Sequence, residues 1–329
     1  MATKSKAVKF ALGKLIRDLR KAKKMTLEQL CTGDSFSETD GAICDAGELG
    51  KYERGERTPQ WDRFEKIMQR LGEDPSKYYQ GYAITPKDKE LAEKKRQLKR
   101  LLRKDKPENE TKNIEQAEVL VTELENDKYC SSDKHNKQVL LYAKAMLAYY
   151  RKEYHDMYNH AFEGIQITKP LFQEDNIDTY SLFFDEILLI NLIGIALFYI
   201  STIEKSTDVF KSLLKCLDNG YVDEDEKSKT YIRIMFNLSN NLAQSGQYEE
   251  CINVCEVGVE LCEKQQHSYH LPLFLFNQGA CLMFTNQKKE GISILKDTRA
   301  LFKAHKRFNE LSHLDNFAKE NFDVEMSYD

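Results

Sequence analysis

Beyond residue 107 the chain contains only two prolines, Pro170 and Pro272. Proline ends or kinks a helix because it lacks an N–H and clashes with the preceding turn. Glycine, the next strongest helix breaker, supplies only 15 of the 329 residues. Apolar residues recur at helical spacing along most of the chain. The sequence therefore predicts an all-α fold, and its length leaves room for more than one domain.

Charge is distributed unevenly along the chain. Residues 1–104 hold 25 Lys and Arg against 16 Asp and Glu, whereas residues 105–329 hold 24 against 37. A basic segment joined to an acidic one suggests that the first segment alone meets a polyanion. A solvated, lysine-rich surface would give the same counts, so this alternative stays open.

Cysteine usage and hydropathy favour a soluble, cytoplasmic protein with no membrane partner. Eight cysteines are too few for a disulfide scaffold, and their spacing does not match a metal site, so free buried thiols are expected. The most apolar stretch, residues 187–200, is too short to span a bilayer and predicts a buried helix. No signal peptide and no catalytic motif is recognisable. We expect neither a metal nor a cofactor, and no enzymatic activity.

Five short helices are predicted within residues 8–80. The first is amphipathic with a basic outer face, and Thr26 can cap a short second helix. A third helix over residues 45–53 ends at Gly55, which supplies a left-handed stop. A fourth helix follows Pro59, and a fifth begins at Pro75 after a capping aspartate.

This succession resembles the helix-turn-helix domain of phage repressors, on the residues LGKLIRDLRKAKKMTLEQL and LGKYERGERTP. Its continuation, FEKIMQRLGEDPSKYY, is similar to the N-terminal domain of the peptide-responsive regulators grouped as the RRNPP family (Rap, Rgg, NprR, PlcR and PrgX). The resemblance implies that helix 45–53 enters the major groove of double-stranded operator DNA. It places these residues at the DNA: Gly47, Glu48, Lys51, Arg54, Arg57 and Arg17.

Two features depart from the family pattern. The polar loop over residues 32–41 is longer than the usual turn, and Asp45 and Glu48 stand where relatives carry Ser, Thr or basic residues. A glutamate can accept a hydrogen bond from cytosine N4, but two acids near phosphates oppose binding. The resemblance also implies a buried, structural ion pair between Arg20 and Glu53.

A basic segment over residues 81–108 predicts a linker helix that ends before Pro107. It would be either a solvated connector or an element that attracts phosphates and carries motion to the head.

Residues 237–261, NLSNNLAQSGQYEECINVCEVGVEL, fit the tetratricopeptide (TPR) repeat pattern. Small residues at Ser239, Cys251 and Gly258 would let two antiparallel helices approach closely, and weaker copies recur at intervals of roughly 40–50 residues. The predicted organisation is a helix-turn-helix domain over 1–80, the linker helix over 81–108, and a TPR-like α-solenoid for peptide binding and dimerisation over 109–329.

Positions expected on the concave face of the repeats combine aromatic side chains with asparagines. An Asn amide both donates and accepts, so it can pair with the backbone of an extended peptide, and an Arg can bind a carboxylate. Alternatively, several aromatic residues simply pack against neighbouring repeats. The candidate peptide-binding residues are Asn191, Arg233, Asn237, Asn240, Gln244, Asn277, Phe236, Phe276 and Tyr199.

Together these features predict a cytoplasmic quorum-sensing-type transcription regulator. Its head would bind operator DNA as half of a homodimer, and a short apolar signalling peptide in the repeats would alter operator affinity. The alternative is a TPR adaptor, similar to the Rap members of the family, that binds a protein partner and carries a degenerate head unable to bind DNA.

Overall fold

The computed structural model describes residues 6–32, 43–78, 86–102, 110–127, 130, 134–180, 182–219, 224–285 and 287–326. Helices dominate these ranges and no β-strand occurs in them, which confirms the all-α prediction. None of the described helices is both long enough and apolar enough to cross a bilayer. The chain divides into unit 1, Met1–Ile200 with Lys215–Glu224, and unit 2, Ser201–Leu214 with Asp225–Asp329.

Four α-helices build the head of unit 1, which comprises the described residues up to Tyr78. They are α1 (Lys6–Ala22), α2 (Leu27–Thr32), α3 (Ala46–Glu53) and α4 (Trp61–Arg70). Nearly all of the predicted loop over residues 32–41 lies outside the described residues.

The prediction of a fifth α-helix in the head is wrong. The chain makes only a 3-10 turn of four residues over Pro75–Tyr78. The Tyr78 ring lies edge-on to Phe64 with 6.4 Å between ring centroids, and its hydroxyl donates to Glu73 at 3.1 Å. One short turn is sufficient here because a single tyrosine anchors the segment to the head core.

Local chemistry defines the ends of the head helices. Thr26 and Gln29 form a reciprocal capping box, with Gln29 N donating to Thr26 Oγ1 at 3.1 Å and Thr26 N to Gln29 Oε1 at 2.8 Å. Asp45 caps α3, its carboxylate accepting from Glu48 N at 2.7 Å. Gly55 adopts φ +71°, where a Cβ would lie 2.8 Å from the Phe10 backbone. The predicted roles of Thr26 and Gly55 are confirmed.

The predicted ion pair between Arg20 and Glu53 is also confirmed. Arg20 Nε donates to Glu53 Oε1 at 2.6 Å and Nη2 to Oε2 at 2.8 Å, so the pair is bidentate. Arg20 Nη1 also donates to Met25 O at 2.8 Å. Because this pair joins the last turn of α1 to the end of α3, it fixes the frame of the groove helix.

The remaining helices follow in chain order. They are α5 (Pro86–Leu101), α6 (Glu110–Asn126), α7 (Lys134–Arg151), α8 (Tyr154–Gln166), α9 (Phe184–Ile200), α10 (Ile203–Asn219), α11 (Glu224–Gln244), α12 (Tyr248–Lys264), α13 (Leu271–Phe284), α14 (Lys288–Ala304) and α15 (Phe308–Phe322). A second 3-10 segment covers Glu174–Thr179. Helix α9 contains the apolar stretch 187–200 and is buried along most of its length, as predicted.

The linker helix α5 packs within unit 1 along one face. Leu98 is fully buried, Lys99 Nζ lies 2.6 Å from Asp185 Oδ1, and Lys95 Nζ donates to Asn136 Oδ1 at 2.9 Å. The opposite face, with Glu93, Arg96 and Arg100, is exposed, so both proposed roles of the segment stay predictions.

Glycines mark the places where the helices of the repeats come closest. A Cβ on Gly258 of α12 would lie 2.5 Å from the Phe274 ring on α13, and one on Gly164 of α8 would lie 2.9 Å from Leu189 on α9. The small residues Ser239 and Cys251 are fully buried. This is the close packing that the repeat pattern predicts.

Removing one partner of the Arg20–Glu53 pair should destabilise the head. The two side chains are only 12% and 7% exposed, so Arg20→Ala strands a buried carboxylate and should cost about 3 kcal/mol. Trp61, the only tryptophan, packs on the head core and reports its unfolding by fluorescence in urea. The control is Arg54→Ala, whose ion pair with Glu56 is half exposed and should change the midpoint little. Equal midpoints for the two variants would contradict the structural role.

Candidate functional site

The predicted groove helix presents a mixed surface. Gly47 and Lys51 of α3 are exposed, and so are Arg54 and Arg57 just beyond its end, while Arg17 on α1 is half-buried. Arg54 is engaged by Glu56 at 2.6 Å. Lys51 and Arg57 form no ion pair among the described side chains, so both cations are available to phosphates.

The two acids that depart from the family pattern, Asp45 and Glu48, have partners within the head. Asp45 is occupied as the α3 cap, as described above. Glu48 Oε1 accepts from Tyr52 Oη at 2.7 Å and from Arg63 Nη1 at 2.8 Å. Burial, followed by the hydrogen bond to Glu48, raises the pKa of Tyr52 to about 12, so the phenol remains a donor at neutral pH. The predicted opposition between these acids and phosphates is therefore reduced.

Sequence reasoning missed Arg63, which provides the compensating charge. It lies on α4, fifteen positions after Glu48, and also donates to Tyr52 Oη at 3.1 Å. The only indication in the sequence is that Arg63 lies in the first turn of α4, the helix that follows the groove helix.

In unit 1 the structure places two candidate peptide-binding residues on α9. Asn191 is buried, at 4% exposure, and is not accessible to a ligand in this structure. Tyr199 is 53% exposed and stacks on Tyr154 with 3.7 Å between ring centroids. One face of the Tyr199 ring therefore packs against a neighbouring helix, as the alternative expects, and the rest of the side chain is exposed.

In unit 2 four of the candidate residues share one face of α11. Their spacing of four, three and four positions follows the helical period, so they form a polar stripe that consists of Arg233, Asn237, Asn240 and Gln244. Gln244 is exposed and the other three are half-buried. We call this set the α11 stripe.

Asn277 on α13 is bound within unit 2. It is 7% exposed, and its Nδ2 donates to Ser239 Oγ at 2.9 Å and to Asn240 Oδ1 at 2.7 Å. Both amide hydrogens therefore tie α13 to α11. The contact fixes the Asn240 amide, whose oxygen is occupied and whose Nδ2 keeps its hydrogens for another acceptor.

A second buried amide, Asn241, was missed by the sequence reasoning. Its Nδ2 donates to Ser206 Oγ at 2.7 Å and to Thr207 Oγ1 at 3.3 Å, which ties α11 to α10. The available signal was the doublet of Asn240 and Asn241, because adjacent residues on a helix face different neighbours.

The candidate aromatic residues of unit 2 pack against neighbouring helices. Phe236 lies edge-on to Phe274 at 5.9 Å, and Phe276 lies edge-on to Phe317 of α15 at 5.4 Å. Both rings keep part of their surface exposed. They can contribute apolar contacts to a ligand only through those remaining edges.

Cationic and imidazole groups gather at one end of the α11 stripe. Burial lowers the pKa of His270 to about 3, and the nearby His267, Arg233 and Arg307 add to the shift. Arg307 is bound by Tyr269 O at 2.7 Å and Glu310 at 2.7 Å. Arg233 forms no ion pair among the described residues, so it is the cation available to an anionic group.

The fold can be compared with known structures. No family model and no curated protein matches the sequence. The crystal structure of Bacillus thuringiensis PlcR, in complex with the peptide PapR7 and DNA, matches with a TM-score of 0.57 at 19% identity. The match covers 93% of this chain and 99% of that chain. The chain resembles PlcR in fold.

Two further solved structures match less well. Streptococcus thermophilus ComR, in complex with DNA and its signalling peptide ComS, gives a TM-score of 0.48 at 16% identity, over 92% of this chain and 97% of that chain. The pheromone receptor Rgg2 of Streptococcus dysgalactiae gives 0.47 at 14% identity, over 94% of this chain and 99% of that chain.

Removing the Asn277 amide should loosen unit 2. Asn277→Ala removes the donor from the buried Ser239 hydroxyl and from the half-buried Asn240 oxygen, and should lower the free energy of unfolding by about 1–3 kcal/mol. Urea unfolding followed by helical circular dichroism measures the loss. Gln244→Ala, an exposed amide on α11, is the control and should leave the curve unchanged. A curve for Asn277→Ala that overlays the control would show that the tie contributes nothing.

Proposed function

We propose that this protein is a DNA-binding transcription regulator whose operator affinity is set by a short peptide. The observation that carries the proposal is that Asp45 and Glu48 are both bound within the head, while Lys51 and Arg57 are exposed and form no ion pair among the described side chains. The likeness in fold to PlcR, whose solved complex contains a peptide and DNA, supports it.

In the proposed complex α3 lies in the major groove of operator DNA. Gly47 gives close access to the bases, and Lys51 and Arg57 bind phosphates that flank them. Arg54 would exchange Glu56 for a phosphate, and Arg17 would approach the same strand from α1. The protein acts in the cytoplasm as a homodimer, so that two heads read half-sites about 34–36 Å apart.

The proposed peptide site is the α11 stripe. Asn240, oriented by Asn277, donates from its free Nδ2 to a peptide carbonyl, while Asn237 and Gln244 extend the same row. Arg233 pairs with a carboxylate of the peptide. The exposed edges of Phe236 and Phe276 favour a peptide that is otherwise apolar.

The adaptor alternative has no observation in its favour. It depended on uncompensated acids in the groove helix, and Glu48 is compensated by Arg63 at 2.8 Å. The proposal therefore keeps DNA as the ligand of the head and a peptide as the ligand of the α11 stripe.

Lys51→Ala should weaken DNA binding by about tenfold and reduce the slope of log affinity against log salt by about one. Fluorescence anisotropy on DNA that the wild-type protein selects from a random library measures both quantities. Lys264→Ala, an exposed lysine of α12, should behave as wild type. Failure of the wild-type protein to enrich any DNA would refute the proposed function outright.

Substitutions in the α11 stripe should weaken peptide binding without unfolding the protein. A library of short apolar peptides provides the ligand, and calorimetry should give an affinity about tenfold lower for Asn240→Ala and for Arg233→Gln. Amidation of the peptide C-terminus should abolish the difference between wild type and Arg233→Gln if Arg233 binds the terminal carboxylate. If amidation lowers the peptide affinity of the wild type and of Arg233→Gln by the same factor, Arg233 does not bind the terminal carboxylate.

A further inference from the structure

Two cysteines of the head flank the loop predicted over residues 32–41. Cys31 lies in the last turn of α2, and Cys44 lies immediately before Asp45, the cap of α3. Their sulfur atoms are 3.8 Å apart, and Ile43 N donates to Cys31 O at 3.0 Å, which joins the two segments. Both thiols are free and buried, at 2% and 8% exposure.

We infer that Cys31 and Cys44 form a reversible disulfide that closes the turn between the two helices of the helix-turn-helix. A disulfide needs its sulfurs about 2.0 Å apart and its Cβ atoms about 3.5–4.5 Å apart. The sulfurs of Cys31 and Cys44 already lie 3.8 Å apart, on two segments that the hydrogen bond from Ile43 N to Cys31 O joins, and the proposed bond requires them to close the remaining gap.

Another thiol pair shows that sulfur proximity alone is not sufficient. Cys251 and Cys255 have a similar separation of 3.9 Å, but they lie four positions apart on the single helix α12. Residues at this spacing hold their Cβ atoms about 5–6 Å apart, beyond the range of a relaxed disulfide. Cys31 and Cys44 lie on two separate segments, so this constraint of a single helix does not apply to them.

The step requires an oxidant, and a low-molecular-weight disulfide such as oxidised glutathione supplies it. The Cys44 thiolate attacks one sulfur of that disulfide and releases one small thiol. The Cys31 thiolate then attacks Cys44 Sγ in the mixed disulfide and releases the second small thiol. The two protons lost by the cysteines end on the two released thiols, so two protein thiols are oxidised as one external disulfide is reduced.

The electrostatics agree with this order of attack. The hydrogen bond from Cys31 lowers the pKa of Cys44, and Arg63 assists, although burial and the carboxylates of Glu48 and Asp45 oppose the shift. The pKa of Cys31 is raised by the same hydrogen bond and by burial. Cys44 is thus the thiol that ionises first, and the thiolate is the reactive form.

The disulfide would fix the chain where the groove helix begins. Helix α3 starts at Ala46, two residues after Cys44. A covalent link to α2 at this point restricts the unfolded chain and holds the α3 cap against its neighbour. Oxidation should therefore stabilise the head selectively.

Peptide mapping of the full-length protein tests the inference without any assumption about DNA. After incubation with oxidised glutathione and alkylation, non-reducing digestion should yield a peptide pair linked through Cys31 and Cys44, which dithiothreitol separates. Cys31→Ser and Cys44→Ser should each abolish it, and Cys255→Ser, the matched control, should retain it. The thermal midpoint followed by Trp61 fluorescence should rise by about 5 °C or more in the oxidised wild type.

Two outcomes would overturn the inference. One is glutathione on Cys44, or unmodified thiols, with no link between Cys31 and Cys44. The other is a linked protein whose Trp61 midpoint does not rise, which would mean that the bond distorts the head instead of closing its turn.

Discussion

The close approach of paired helices at small residues is the constraint on which the repeat body depends. Gly164 and Gly258 leave no room for a Cβ, so the rings and methyl groups of the next helix lie directly on the backbone. At such short separations a short amide can bridge two helices, and Asn277 and Asn241 do so in unit 2. The packing thereby decides which polar groups are used internally.

The side chains available to ligands are those that internal hydrogen bonds and ion pairs do not use. In the head, Glu48 is bound by Arg63 and Tyr52, which leaves Lys51 and Arg57 exposed. In unit 2, Asn277 uses both of its amide hydrogens and orients Asn240. Buried polar groups in proteins are hydrogen-bonded. In both regions, the polar side chains with internal partners therefore have a structural role, and those that remain exposed are the candidates for ligand binding.

Much of the fold follows from the sequence because its signals are local. Helical periodicity and scarce helix breakers predict an all-α chain, and Thr26 and Gly55 mark helix ends whose chemistry lies within a few residues. Features that depend on a partner far along the chain were not predictable in this way. Periodicity places Asn277 and Asn240 on suitable faces, but it does not show that they bind each other. The contact that Lys99 of α5 makes is likewise long-range, because its partner Asp185 lies 86 positions later in the chain.

The most direct test of the central claim is the affinity for wild-type-selected DNA, measured with and without a saturating peptide that binds the α11 stripe. A peptide that binds one of two conformational states more tightly than the other changes the DNA affinity by the same factor. A coupling free energy of about 1.4 kcal/mol gives a tenfold change. We expect a change of at least about tenfold, in either direction, that Asn240→Ala weakens. Identical DNA affinity with the peptide bound and absent would contradict the account.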